Sequence, residues 1–284
     1  MFGGPIGKLK SRDSGKWHRG MAQLLERPRA SAVPYLLPLL IEQIYEIPRT
    51  AMKALDACDP NWRKSQHARD FVPRLLAIAR ARREDGEWRD AMDALDTIGD
   101  GRAADAFAEI LRGRPASYEA LRGLANLKDA RAFAAIEAAI KSGTTNAYSY
   151  FGDIGDRRAI PILNAAIKNH AYYCVRAIGV FADPSSAQPV VDHMVAVYAT
   201  REMNSDKSYP LRQAAEALTA ILRKGAGAVP ETALRAITGF QDLAYWVETA
   251  PAVCSFSAEG HDDKLDLSGL RQLAKQELAR RGLR

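Results

Sequence analysis

Apolar residues recur along this chain in short series on either side of a tight turn, and the same phrase returns four times. It reads Ala94-Leu95-Asp96-Thr97-Ile98-Gly99-Asp100-Gly101-Arg102-Ala103 first, then Leu124-Ala125-Asn126-Leu127-Lys128-Asp129-Ala130-Arg131-Ala132. The third copy is Phe151-Gly152-Asp153-Ile154-Gly155-Asp156-Arg157-Arg158-Ala159, and a weaker fourth runs from Ile178 to Ala187. Asp100, Asp129, Asp156 and Asp183 are separated by steps of 29, 27 and 27 residues, a period that marks a repeat architecture. Before each aspartate, apolar residues stand nine, eight, five and two positions back: Ala91, Met92, Leu95 and Ile98 in the first copy, Ala147, Tyr148, Phe151 and Ile154 in the third. Spacings of three and four place them on one face of a helix. A second series follows each turn, as in Ala103, Phe107, Ile110 and Leu111, and predicts a second amphipathic helix. Gly99 and Gly155 suit the left-handed residue that ends a helix, and the aspartate suits the cap of the next. One hairpin cannot bury its apolar face alone, so neighbours must stack. The expectation is an all-α, right-handed α-solenoid.

The flanks are less regular. Trp17 to Glu26 predicts a short helix, Pro34 opens another that ends before Pro48, and Ala51–Ala57 and Trp62–Arg83 follow, the last bent at Pro73. After Thr200 the period breaks. The next position equivalent to the aspartate is Arg223, a step of 40, so Arg201 to Tyr209 reads as a polar, loop-like insertion. Pro230 to Trp246 reads as helix, residues 250–267 show no period, and Ser268 opens a last helix stopped by Gly282. The predicted organisation is a flexible basic arm over 1–20 and a single solenoid over 21–284. Its clear repeats span about 87–224 and its irregular capping segment spans 225–284.

The phrase resembles the short HEAT-like repeats of the phycobilin-lyase type, whose unit runs roughly Val-Arg-x-x-Ala-x-x-Ala-Leu-x-x-Ile-Gly-Asp-x-x-Ala. Trp88-Arg89-Asp90-Ala91-Met92-Asp93-Ala94-Leu95 matches its first half, as does Leu211-Arg212-Gln213-Ala214-Ala215-Glu216-Ala217-Leu218. Asp59-Pro60-Asn61-Trp62-Arg63 looks like the turn of an earlier unit, so the resemblance covers roughly residues 36 to 224. It implies a HEAT/armadillo-like superhelix whose helices before each aspartate line a concave side. The same repeat serves enzymes, chaperones and scaffolds, so the resemblance speaks for the fold and little for function.

Composition narrows the classes. Hydrophobic residues are 47% of the chain, enough for a continuous core, yet no run of 18 apolar residues offers a membrane span. No leader segment is recognisable at the start. Three cysteines, Cys58, Cys174 and Cys254, form no CxxC pair, which fits a reduced, cytoplasmic protein. The net charge of +6 sits in residues 1–90, with 17 Lys and Arg against 11 Asp and Glu; the remainder is balanced at 23 each. Lys8, Lys10, Arg12, Lys16 and Arg19, set among glycines and serines, make a solvated arm or one that contacts phosphates of a nucleic acid or anionic lipid.

No catalytic set emerges. The five histidines lie apart without an HxxxH spacing, and the His-Glu pairs of di-iron hydroxylases built on this repeat are missing. No metal site and no cofactor are expected. What the core pattern leaves over is a polar stripe on the helices before each aspartate: Arg89, Tyr118, Arg122, Asn146, Ser149, Tyr172, Tyr173, Arg176 and Arg212. Tyrosine and arginine are the side chains most used as binding anchors. The leading expectation is therefore a non-catalytic scaffold or adaptor that recognises a protein partner on its concave face. One alternative is nucleic-acid binding, by resemblance to HEAT-like alkylpurine DNA glycosylases, with Trp88, Tyr118, Tyr172, Arg122, Arg176 and Asp153 in the groove. Asp90, Asp93, Glu119 and Glu216 on the same face oppose phosphate. A bilin lyase or chaperone-like relative is the other alternative. Tyr150 stands where the other copies carry Ala94, Gly123 and Ala177, so its ring either opens the hairpin or points outward.

Overall fold

The computed structural model describes residue 8 and residues 14–42, 46–81, 85–199, 205–241, 243–247 and 261–283. The chain divides into two compact units, Met1–Ala138 and Ala139–Arg284. It is predominantly helical, and no described helix is long and apolar enough to cross a membrane.

In the first unit, α1 spans Ser14–Glu26 and buries Trp17, Met21 and Leu24 at helical spacing. The predicted arm over 1–20 thus ends sooner. Lys16 and Arg19 are exposed on α1, and Lys8 Nζ donates to Gln23 Oε1 at 2.9 Å. Lys10 and Arg12 lie outside the described residues. Pro34 and Pro38 each begin a new turn, so the expected helix after Pro34 is broken into a 3-10 turn Ala30–Ala32, the short α2 Val33–Leu36 and a 3-10 segment Leu37–Ile41. Next come α3 Glu46–Cys58, α4 Gln66–Arg80, α5 Gly86–Ile98, α6 Ala103–Gly113, α7 Tyr118–Asn126 and α8 Ala132–Lys141, whose residues from Ala139 on are counted in the second unit. Side chains open two of them: Ala68 N donates to Ser65 Oγ at 3.1 Å, and Trp88 N to Asp85 Oδ1 at 2.9 Å. α5 packs on α4 and α7, and α6 packs on α7 and α4, so adjacent hairpins share faces.

In the second unit, a 3-10 segment Thr145–Ser149 leads into the short α9 Tyr150–Ile154. α10 spans Ala159–Phe181 and is two helices joined at His170, whose φ of −133° and ψ of 34° break the ladder. α11 is Ala187–Ala199, α12 Ser205–Gly225, α13 Glu231–Gly239 and α14 Ser268–Arg280. Two expectations fail here. The tail of the supposed loop, 205–209, is the first turn of α12. The helix expected to reach Trp246 stops at Gly239, and Leu243–Val247 (β1) pairs antiparallel with His261–Leu265 (β2), Leu243 opposite Leu265. Leu-Ala-Tyr-Trp-Val is a strand-forming run, and its preference wins once Gly239 has weakened the helix. Apart from this short ribbon the described residues are helical or in turns, as the all-α expectation has it.

The repeat phrase folds alike in all four copies. The residue before each aspartate is left-handed: Gly99 at φ 68°, Lys128 at 52°, Gly155 at 70° and Ala182 at 46°. Each aspartate then accepts from the backbone N–H two residues on, at Arg102, Arg131, Arg158 and Ser185, over 2.9–3.0 Å. Its own carbonyl takes the N–H three residues on, at 2.9–3.0 Å. A left-handed backbone costs a residue with a Cβ roughly 1 kcal/mol that glycine avoids. Lys128→Gly should therefore raise stability by up to about 1 kcal/mol in chemical denaturation. A loss there would mean that the Lys128 side chain contributes more than its strained backbone costs.

Burial follows the predicted faces with one refinement. The positions five before each aspartate, Leu95, Leu124, Phe151 and Ile178, are all buried. Two before, Ile98 and Phe181 are buried while Leu127 and Ile154 are partly exposed. Tyr150 points inward, at 5% exposure.

Candidate functional site

The side chains that follow each turn form a ladder. Arg102, Arg131 and Arg158 fold back on Asp100, Asp129 and Asp156. Within the first unit the ladder reaches neighbouring hairpins, because Arg131 Nη1 meets Asp105 Oδ1 at 2.9 Å and Arg102 Nη2 donates to the Arg69 carbonyl at 2.9 Å. Within the second, Arg157 pairs with Asp183. These arginines are used by the fold. Hydrogen bonds from Arg102, Arg131 and Arg158 hold the Asp100, Asp129 and Asp156 carboxyls below their ordinary value of 3.8; those from Ser185, with Arg157, do the same for Asp183. A carboxyl depressed on folding contributes stability that is present above its unfolded value and lost as pH falls through the folded one. His193 is also lowered, by burial, from 6.5, and its Nε2 has no hydrogen-bond partner among the described residues. The expected result is a fall in melting temperature that begins below pH 6.5 and steepens below 3.8. His193→Leu should remove the first stage only, as thermal melts across pH will show.

The predicted stripe divides between the units, each with its own geometry. In the first, Arg89 Nε stands 3.6 Å from Glu119 Oε1. Arg122 reaches back one repeat, its Nε 2.7 Å from Asp96 Oδ2 and its Nη2 on Asp93. Asn126 Nδ2 adds a bond to Asp96 Oδ1 at 2.8 Å. Burial lowers the Arg122 pKa, but the contacts of Asp93 and Asp96 outweigh it and raise it overall. Tyr118 is exposed, with the Arg122 guanidinium 5.4 Å from its ring centre. Trp88, cast above as a groove aromatic, is a core residue whose Nε1 donates to the Ala79 carbonyl at 3.0 Å.

In the second unit the structure brings three tyrosines together. Tyr172 on α10 is 52% exposed, and its ring centre lies 5.1 Å from Tyr173 and 5.0 Å from Tyr209 on α12. Tyr209 is 44% exposed. Arg176 Nη2, one turn on, is 3.8 Å from Asp153 Oδ1. Asn146 and Ser149 are half-buried in the 3-10 segment, where Ser149 Oγ bonds the Asn146 carbonyl at 2.7 Å. Arg212 lines a cavity of about 910 Å³ between α12 and α14, with Glu216, Arg223, Gln272 and Gln276. The sequence pattern found Tyr172 and Tyr173 but missed Tyr209, which it placed at the end of a loop; Pro210 lies inside α12, where proline ordinarily argues against a helix that starts before it.

Among the described residues, no group of three or more His, Cys, Asp or Glu is placed to hold a metal ion. Cys58 and Cys174 are buried free thiols, and burial pushes Cys174 up to about 12, which leaves it a poor nucleophile. Cys254 and residues 201–204 lie outside the described residues.

No protein-family model and no curated protein matches the chain. Two solved structures, both titled as crystal structures of an engineered protein, are similar at 20% identity. One aligns over 82% of this chain and 69% of its own with a TM-score of 0.36. The other aligns over 79% and 96% with a TM-score of 0.33.

Proposed function

We propose that the chain is a non-catalytic binding scaffold of HEAT-like repeats, wound as a right-handed α-solenoid, that recognises a protein partner through polar side chains its core does not use. Support for the winding comes from hairpins that share faces within each unit and from four equivalent turns. Support for binding comes from one observation above all. The exposed Tyr172 and Tyr209, with the half-buried Tyr173, form an aromatic cluster carried by two long helices. Large rings on a rigid support lose little entropy when covered, and their hydroxyls bond at the rim of a contact. Nucleic-acid binding draws less support, since Trp88 is occupied by the core and Arg122 by carboxylates.

The test is the pair Tyr172→Ala and Tyr209→Ala in one chain. Surface truncations of this kind change stability by about 0.5 kcal/mol or less. Retention of the partner captured by the wild-type protein should fall by at least about tenfold, while the helical signal and melting temperature hold. Unchanged retention in the folded variant would remove the tyrosine cluster from the binding face.

A further inference from the structure

The first unit holds a cleft whose charged residues have no assigned task. The Leu37–Ile41 segment packs against both α3 and α5, and above it lies a cavity of about 410 Å³. Leu40, Pro48, Met52 and Ala94 supply its apolar surface. α3 contributes Arg49 and Lys53, and α5 contributes Asp90 and Asp93. Asp93 is already paired with Arg122. The other three make no hydrogen bond or ion pair among the described residues. So a cationic wall and a carboxylate face one apolar-lined space, and neither charge satisfies the other.

Ligand pockets of a few hundred Å³ typically join an apolar lining to a few charged groups that fix orientation. Here the complement must be apolar in its middle, anionic towards Arg49 and Lys53, and cationic towards Asp90. We infer that this cleft binds a short apolar peptide segment carrying a carboxylate at one end and an ammonium group at the other. Asp90 is where the ammonium is most needed. Burial and the neighbouring Asp93 push its carboxyl up, against the pull of Arg89, so an incoming cation relieves a strained charge. Arg49 and Lys53 lie four residues apart on α3 and both face solvent, so both can close on one carboxylate. The same chemistry is offered by a free peptide with charged ends and by a stretch of a protein chain with an acidic and a basic side chain flanking leucines. The cleft shares no residue with the tyrosine cluster, so the two readings stand or fall separately.

The full-length protein is titrated with the free-ended tripeptide Leu-Leu-Leu, with its acetylated and its amidated forms, and with end-capped Lys-Leu-Leu-Glu. Saturable binding of the free tripeptide is expected. Amidation should weaken it roughly fivefold or more, and acetylation by a similar factor. Arg49→Gln with Lys53→Gln should reproduce the effect of amidation and make amidation itself neutral; Asp90→Asn should do the same for acetylation. Raised salt should weaken binding to the wild-type protein, a readout that needs no variant. If capped Lys-Leu-Leu-Glu binds as tightly and responds to the same substitutions, the occupant is a segment of a protein chain; if it does not, the occupant is a free peptide. No saturable binding by either peptide, or binding indifferent to all three substitutions, overturns the proposal.

Discussion

Phe107→Ala should destabilise the protein by about 3–5 kcal/mol, the range for deleting a buried aromatic ring. Phe107 is fully buried in α6, and its ring occupies the space that a side chain at position 123 would need. A Cβ on Gly123 of α7 would sit 2.3 Å from Phe107 Cε2, far inside contact distance. The two helices approach closely because one offers a ring and the other offers nothing. Gly123→Ala is therefore an opposed experiment. Alanine gains roughly 1 kcal/mol over glycine in a helix interior, while overpacking costs about 1–3 kcal/mol. The ring is fully buried and can yield only by displacing core neighbours, so a net loss is expected. Phe107→Leu in the same chain should make Gly123→Ala less harmful, by a coupling of at least about 0.5 kcal/mol in a double-mutant cycle. Additive effects would mean the helices separate freely and the close approach is not a constraint.

That contact also explains how much of the fold could be read from the sequence. The period alone placed Lys128 and Ala182 at helix-ending turns, although neither is glycine, and both are left-handed. It placed the aspartates at the start of the following helix, where all four accept a backbone N–H. It did not resolve Tyr150. The other copies keep Ala94, Gly123 and Ala177 at the close-packing position, and a ring there had to widen the hairpin or leave it. The ring stays inside, and the regular helix before it is reduced to a 3-10 segment and the five-residue α9. The ribbon was missed because each strand residue pairs with one 14 to 22 positions away, from Val247 with His261 to Leu243 with Leu265, which local spacing does not reveal. The tyrosine cluster was half legible. Surface position follows from the helical face, but the meeting of Tyr172 with Tyr209 depends on how α10 packs on α12 across an interrupted period. The cleft of Arg49, Lys53 and Asp90 was not legible at all, since it needs the irregular Leu37–Ile41 segment to hold two helices apart.

Arg122 was read as a binding anchor, and the structure gives it a task inside the fold. Its guanidinium joins Asp93 and Asp96 of the preceding repeat, and the Asp96 side chain is only 9% exposed. Positions one repeat apart are neighbours in a stacked array, so the steps of 29 and 26 residues were open to this reading. Arg122→Met keeps most of the aliphatic volume and removes the charge. Asp96 would then hold only the Asn126 bond, with Asp93 close by on the same helix. Leaving one member of such a pair without its partner costs about 1–3 kcal/mol, and about 2 kcal/mol is expected here because Arg122 is partly open to water. The deficit is read from chemical denaturation of the variant beside the wild-type chain. Arg122→Lys should recover only part of the loss, since one ammonium cannot bridge both carboxylates as a planar fork does. If Arg122→Met instead keeps wild-type stability and loses partner capture, Arg122 belongs with the tyrosines as an anchor. If it loses stability by this amount and Arg122→Lys restores part of it, the arginine is a clamp between repeats, and any recognition by this part of the chain falls to Tyr118 beside it.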